Sequence, residues 1–185
     1  TAELGVSKPF ITYVGRLEDP GKNHVRLIKA YERLRQTTGD DLALVMPGAP
    51  WNGAERIYRA ARDCRYASDI HFPGFTDYAL LPAIYSACEL MVFPSLFEGF
   101  GFPLLEALAC GARVSCSNNS SLGELAPAGS VTFDPYSIDD MADKMALAMS
   151  HTLSDSAQQQ RDHYVQTFNW AAAAEKVATL YRKIA

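Results

Sequence analysis

The feature that most constrains this chain is an alternation. Six short strand-like runs, Phe10–Val14, Leu42–Met46, Ile70–Phe72, Leu90–Phe93, Arg113–Cys116 and Ser130–Phe133, each give way to glycine, proline or polar residues. Each is then followed by residues at helical spacing or by a helical turn. Parallel strands need long crossover connections, and helices are the usual ones. The alternation therefore predicts an α/β fold: a doubly wound, parallel, six-stranded Rossmann-like sheet with helices left over at the C-terminus.

The helical segments follow from the apolar period. Val25, Leu27, Ile28, Tyr31 and Leu34 place a helix from Lys22 to about Gln36, and Asn52–Tyr66 reads as a second. Asp77 is the predicted N-cap of a helix through Tyr85, in which Pro82 fits only near the first turn. Leu122–Leu125 is a helical turn, and Ile138–Met149, Ser154–Thr167 and Trp170–Ile184 complete the set. In the last, Trp170, Ala174, Val177, Tyr181 and Ile184 form one apolar stripe, read as core. Without repeats, low-complexity tracts or a linker, residues 1–185 are expected to form one domain.

The chemistry concentrates in the run from Pro94 to Gly111. It leaves the strand Leu90–Phe93 and enters a helix closed by Gly111, with Pro103 suited to the first helical position. The loop Glu98–Phe102 thus lies at the C-terminal end of a strand and the N-terminal end of a helix. Open α/β sheets bind ligands there, and a helix start offers unpaired N–H groups to an anion. Gly99 and Gly101 let the backbone approach a ligand, and the carboxylates of Glu98 and Glu106 bracket the place.

Gly15-Arg16-Leu17 ends the first strand and Lys22 opens the next helix, so both cations belong to the same sheet edge. A guanidinium fork and a mobile ammonium both suit phosphate. The segment Gly15–Asn23 falls short of a P-loop. Its glycines are one residue too far apart, and Asn23 stands where a metal-binding Ser or Thr is needed. Glu98 and Glu106 are candidates either for an acid–base pair or for acceptors of sugar hydroxyls, and their spacing does not choose. His24, His71, His151 and His163 have no nucleophile at a recognisable spacing, which leaves them structural or solvent roles.

A net charge of −4 argues against a nucleic-acid surface, while leaving room for a local basic pocket. No apolar run is long enough to span a membrane, and no signal peptide opens the chain. Cys64, Cys88, Cys110 and Cys116 lack metal-like spacing and are expected as reduced thiols in a cytoplasmic protein. A start at Thr1 points to a piece of something longer.

Val14-Gly-Arg-Leu17 with Lys22, Gly74-Phe75, Pro94-Ser95 and Glu98-Gly-Phe-Gly-Phe-Pro-Leu-Leu-Glu106 resemble the retaining glycosyltransferases of family four (group 1). Ala109-Cys-Gly111 and the loop Ser117–Ser121 with Glu124 fit the same pattern. The resemblance runs from about Pro9 and corresponds to the C-terminal, donor-binding half of the two-domain GT-B fold; the N-terminal acceptor domain is not in this chain. It implies that Arg16 and Lys22 hold the diphosphate of a nucleoside-diphosphate sugar and act in catalysis with Glu98. Glu98 would take the sugar hydroxyls and Glu106 the ribose. Gly15 and the backbone of Gly99, Phe100, Gly101, Phe102, Leu104 and Leu105 would line sugar and phosphates, with the Phe75 backbone facing the base. No Asp-x-Asp motif is present, so no metal or other cofactor is expected. A sugar or lipid-linked acceptor, and any peripheral association with a membrane, would fall to the other half.

The resemblance implies GDP-mannose as donor and a mannosyltransferase of polysaccharide biosynthesis. Arg113, Ser115-Cys116 and Gly123 depart from the family pattern, Gly123 standing where mannosyltransferase-like members commonly carry proline. The alternatives are a non-catalytic sugar-nucleotide-binding module and half of a GT-B epimerase.

Overall fold

A computed structural model describes residues 5–151 and 154–184. They fall into two compact units, with the boundary after His151. The larger unit contains strands β1 (Phe10–Thr12), β2 (Ala43–Val45), β3 (Ile70–His71), β4 (Leu90–Phe93), β5 (Val114–Ser117) and β6 (Val131–Phe133). They form one six-stranded sheet in the order β3-β2-β1-β4-β5-β6. Every pairing is parallel, with Ile11 opposite both Leu44 and Leu90. β1, β2 and β4 are buried throughout, which explains why they read as continuous apolar runs without alternation.

The helices of this unit are α1 (His24–Thr38), α2 (Ala54–Asp63), α3 (Leu81–Ala87), α4 (Phe102–Ala109), α5 (Ser120–Leu125) and α6 (Ile138–Ser150). α1 packs on α2 and α6, while α4 packs on α3 and α5, giving a layer for each face of the sheet. α1 ends at Gly39, whose φ of 75° suits glycine and whose N–H returns to the Arg35 carbonyl. Under the sheet, Tyr31 donates to the Leu42 carbonyl at 2.7 Å.

The boundaries differ from the sequence expectation where caps intervene. α1 starts at His24 and not at Lys22, because Asn23 takes a left-handed conformation (φ 62°). α2 is shorter than predicted, and a 3-10 turn at Ala67–Asp69 follows it. Asp77 caps through its side chain, accepting from the Ala79 N–H at 2.9 Å. What it caps is a 3-10 turn, Tyr78–Leu80, that runs into α3 with Pro82 in the first helical turn.

The smaller unit holds α7 (Asp155–Gln166) and α8 (Trp170–Ile184). Ser154 caps α7, its hydroxyl accepting from the Ala157 N–H. The stripe on α8 is not core: Trp170, Ala174, Val177, Tyr181 and Ile184 are all exposed. Helical period identifies an apolar face; it does not say what lies against that face.

All four cysteines are free thiols, and burial pushes those of Cys88 and Cys116 up to about 12, where they stay protonated. Among the described residues, no helix is long and apolar enough to cross a membrane.

His24, fully buried at the start of α1, donates from Nδ1 to the Glu18 carbonyl at 3.1 Å, and its Nε2 has no hydrogen-bond partner among the described residues. Burial lowers its pKa from 6.5 to about 4, with the charge of Lys22 adding to the effect and the Glu18 bond opposing it. The folded value lies below the unfolded one, so the unfolded chain takes up this proton first as pH falls. The imidazole's contribution is intact above about 6.5 and is lost between there and about 4. Relative to His24→Gln, the wild type is expected to lose about 2–3 kcal/mol of stability from about pH 7.5 to about pH 4.5. Urea unfolding of both proteins at the two pH values checks this; parallel losses would assign the acid sensitivity to other groups.

Candidate functional site

Between β1 and β4 the strand order reverses direction, and the loops leaving these two strands face each other. Beyond β1 the chain stays alongside the segment leaving β2. Gly15 N–H bonds the Pro47 carbonyl, Leu17 N–H the Ala49 carbonyl, and Trp51 N–H returns to Leu17. The approach requires Gly48, since a Cβ there would strike the Gly15 carbonyl oxygen. It sets Arg16 beside Trp51, the guanidinium carbon 5.1 Å from the ring centroid.

The second loop enters α4 through Gly101, whose φ of 105° few other residues adopt. A Cβ on Gly101 would also lie 2.8 Å from Leu122 Cδ2. α4 begins one residue earlier than predicted, at Phe102, with Pro103 second. The loop is held from β5's side of the sheet. Ser120 Oγ accepts from the Glu98 N–H (3.2 Å), Ser121 donates to the Glu98 carbonyl (3.0 Å), and Asn119 donates to the Leu96 carbonyl (3.0 Å).

Together the two loops line a cavity of about 420 Å³. Of the predicted residues, Gly15, Arg16, Lys22, Glu98, Gly99, Phe100, Gly101 and Phe102 are on its wall, with Tyr13 and Phe93 also contributing. Lys22 Nζ is 2.6 Å from Glu98 Oε1, a pair shielded on both sides. Arg16 is more exposed and meets Glu18 Oε2 at 3.3 Å. Tyr13, fully buried, shares a hydrogen bond of 3.0 Å with Ser95; burial raises its pKa, so the phenol remains neutral. Two cations and a helix start around one hollow make a good receptor for an anion with several oxygens.

Phe75, Leu104, Leu105 and Glu106 do not line this cavity. Leu104 and Leu105 are buried, and the Leu104 N–H is already bonded to the Gly101 carbonyl. Both belong to the apolar face that α4 buries, together with Ala107 and Leu108. Phe75, beyond β3, is 83% exposed. Glu106 faces tyrosines: Tyr78 donates to Oε1 at 3.1 Å and Tyr85 to Oε2 at 3.3 Å.

Several participants escaped the sequence reading. In the sequence Asn23 stands out only as the wrong residue for a P-loop metal ligand, yet it is buried and its amide donates to the carbonyls of Pro94 (2.9 Å) and Pro135 (2.8 Å). A lone asparagine beside a glycine turn was the available signal, since asparagine tolerates positive φ. Trp51, Tyr78 and Tyr85 carried no motif.

Comparison with known proteins places the chain. The model for "Glycosyl transferases group 1" matches residues 2–168, and the chain belongs to that family. It is 34% identical over 177 residues to the serotype-specific mannosyltransferase WbdA of Escherichia coli, covering 89% of this chain and 20% of that protein. It is 32% identical over 130 residues to O-antigen chain mannosyltransferase B of Escherichia coli, covering 70% of this chain and 34% of that one. Among solved structures, sucrose-phosphate synthase of Thermosynechococcus elongatus superposes with a TM-score of 0.81 at 25% identity, over 99% of this chain and 47% of that one. The sheet and helices are thus those of one half of a GT-B glycosyltransferase, and the chain spans half or less of these relatives' length.

The loop geometry makes the two glycines unequal. Gly101→Ala places a side chain at a left-handed φ and against Leu122, and is expected to cost about 1–3 kcal/mol. Gly99 has open space at its Cβ position, and Gly99→Ala should stay within about 0.5 kcal/mol of wild type. Urea midpoints of the two variants decide it, equal losses being the result against this account.

Proposed function

We propose that this chain binds the donor, a nucleoside-diphosphate sugar, for retaining glycosyl transfer within a longer group 1 glycosyltransferase. One observation carries the reading: Arg16, Lys22, Glu98 and the start of α4 meet around a single cavity where the strand order reverses. Arg16 and Lys22 hold the diphosphate. Gly15 and the backbone from Gly99 to Phe102 follow the phosphates and sugar, and Glu98 accepts hydrogen bonds from the sugar hydroxyls. Glu106 takes the ribose, and the backbone at Phe75 faces the base.

Breaking the bond from sugar to phosphate builds negative charge on the departing diphosphate. Cations and helix N–H groups already aimed at that place stabilise the charge without reorganising. In this reading Arg16 and Lys22 stand in for a divalent metal. Two relatives are named as mannosyltransferases, which supports GDP-mannose as donor, and a polysaccharide-building role in the cytoplasm accords with it. The acceptor is held by the remainder of the longer protein, so this chain alone is not expected to transfer sugar. Transfer needs both substrates in near-attack geometry.

A thermal-shift screen against GDP-, UDP- and dTDP-sugars tests the donor, since a ligand that selects the folded state raises the melting temperature. GDP-mannose is expected to give the largest shift, and no shift with any of them would overturn the donor reading. Affinity is expected to survive EDTA.

The ion pair sharpens the mutational test. Arg16→Ala should weaken nucleoside-diphosphate binding by about tenfold, corresponding to one charge-assisted hydrogen bond. Glu98→Ala should weaken the sugar nucleotide without weakening the bare diphosphate, because the variant leaves Lys22 free of its 2.6 Å partner. Calorimetry with both ligands checks this. Equal loss for the two ligands in Glu98→Ala would remove the sugar role of Glu98.

A further inference from the structure

Glu106 differs from Glu98 in its company. Its carboxylate meets two neutral phenols, both brought by the segment between β3 and β4. Tyr85 lies on α3 and is 1% exposed, while Tyr78, in the preceding 3-10 turn, is 69% exposed. The bonds divide cleanly, Tyr85 to Oε2 at 3.3 Å and Tyr78 to Oε1 at 3.1 Å. α3 packs directly on α4, so the Tyr85 bond joins two packed helices, whereas the Tyr78 bond reaches in from solvent. Both phenols have raised pKa values, Tyr85 chiefly through burial and Tyr78 chiefly through its bond to Glu106, so both remain donors at neutral pH.

A carboxylate has about four acceptor positions, and one donor on each oxygen leaves about two for a ligand. Two adjacent hydroxyls need those positions in one plane with fixed orientation. An exposed carboxylate on a flexible side chain would lose rotamer freedom on binding them. A buried donor on one oxygen removes that freedom beforehand. The exposed donor on the other oxygen can be replaced at little cost, because its hydroxyl returns to water.

We propose that Tyr85 is a positioning residue that fixes the Glu106 carboxylate for a ribose diol, and that Tyr78 is the exchangeable hydroxyl on Oε1 that gives way to the ribose. This rests on the assignment of Glu106 to the ribose made above. The tyrosines touch the ligand's partner and not the reacting atoms, so their effect is on recognition of the ribose and not on the sugar.

The test compares GDP with 2′,3′-dideoxy-GDP, and UDP with its dideoxy analogue in parallel, by calorimetry on the full 185-residue chain. The wild type should prefer the ribo form, and Glu106→Ala should abolish the preference. Tyr85→Phe should cut the preference by about fivefold to tenfold, mostly through weaker ribo binding, with the dideoxy ligand little changed. A purely structural phenol would weaken both ligands alike. Tyr78→Phe, at an exposed position that the fold does not depend on, should bind the ribo ligand as tightly as wild type or more tightly.

The failures separate. No ribo preference in wild type, or an undiminished one in Glu106→Ala, overturns the ribose assignment and this proposal with it. Loss of preference in Glu106→Ala while Tyr85→Phe keeps the wild-type ratio overturns the role of Tyr85 alone. Weaker ribo binding in Tyr78→Phe overturns the exchange, and this variant remains decisive should Tyr85→Phe fail to fold.

Discussion

The site depends on a buried amide. Asn23 sits between the loop from β1 and the start of α1, and both hydrogens of its amide are used, one on the Pro94 carbonyl and one on that of Pro135. Its Oδ1 accepts from Arg26 at 3.0 Å, so the whole group is satisfied. A side chain here needs two donors, an acceptor and tolerance of a φ of 62°. Asparagine meets all four demands; aspartate lacks the donors, and glutamine is a methylene too long for the same reach. Through this amide, and through Leu96 N–H on the Gly21 carbonyl, the loops after β1 and β4 become one piece. Lys22 then meets Glu98 as a consequence of the backbone on both sides.

The two ends of the sheet handle charge in opposite ways. At the end where the strands begin, Lys8 bridges Asp41 and Asp69, and Arg35 contacts the same two carboxylates while lying against the Tyr66 ring. Each cation there is answered by anions from neighbouring strand entries, and the network joins the elements it touches. At the end where strands leave, Lys22 has one carboxylate, and the exposed Arg16 has the half-buried Glu18 and an indole. An exposed pair such as Arg16 and Glu18 contributes little on its own, so exchanging that partner for a phosphate costs little. A chain with net charge −4 thus keeps two cations at one hollow, each with a single carboxylate partner that a ligand can displace, without an excess of cations overall.

Much of this was legible in the sequence. Six runs separated by helical patterns require a parallel sheet, and a parallel sheet puts every strand exit on one edge. Arg16, Lys22 and the residues from Glu98 to Phe102 follow from that edge, because each lies in or at the end of a loop that leads from a strand's exit to the next helix. What could not be read depends on distances across the fold. The pairing of Lys22 with Glu98 spans 76 positions, and that of Tyr85 with Glu106 passes between two helices of different origin. The α8 stripe failed for another reason. A period of 3.6 is a property of one helix, while burial is a property of its neighbours. Gly99 and Gly101 looked equivalent in sequence, and only backbone angles and the neighbouring Leu122 separate them.

The different settings of the two glutamates bear on how one loop and helix can treat two parts of one ligand. Glu98 is the counter-charge of a cation, so any anion drawn to Lys22 also approaches Glu98. A neutral, hydroxyl-rich group beside that anion relieves the conflict by donating to the carboxylate. On the proposed reading, a sugar attached to the diphosphate meets this condition and a bare diphosphate does not. Glu106 is held by two phenols, so its attraction is to hydroxyl donors and changes little with the charge of the ligand. Loss of the sugar would then weaken the ligand's hold at Glu98 while leaving the hold at Glu106 in place. On the same proposed reading the bond that breaks would lie on the Glu98 side of the diphosphate, and the asymmetry would favour the departure of what remains after transfer.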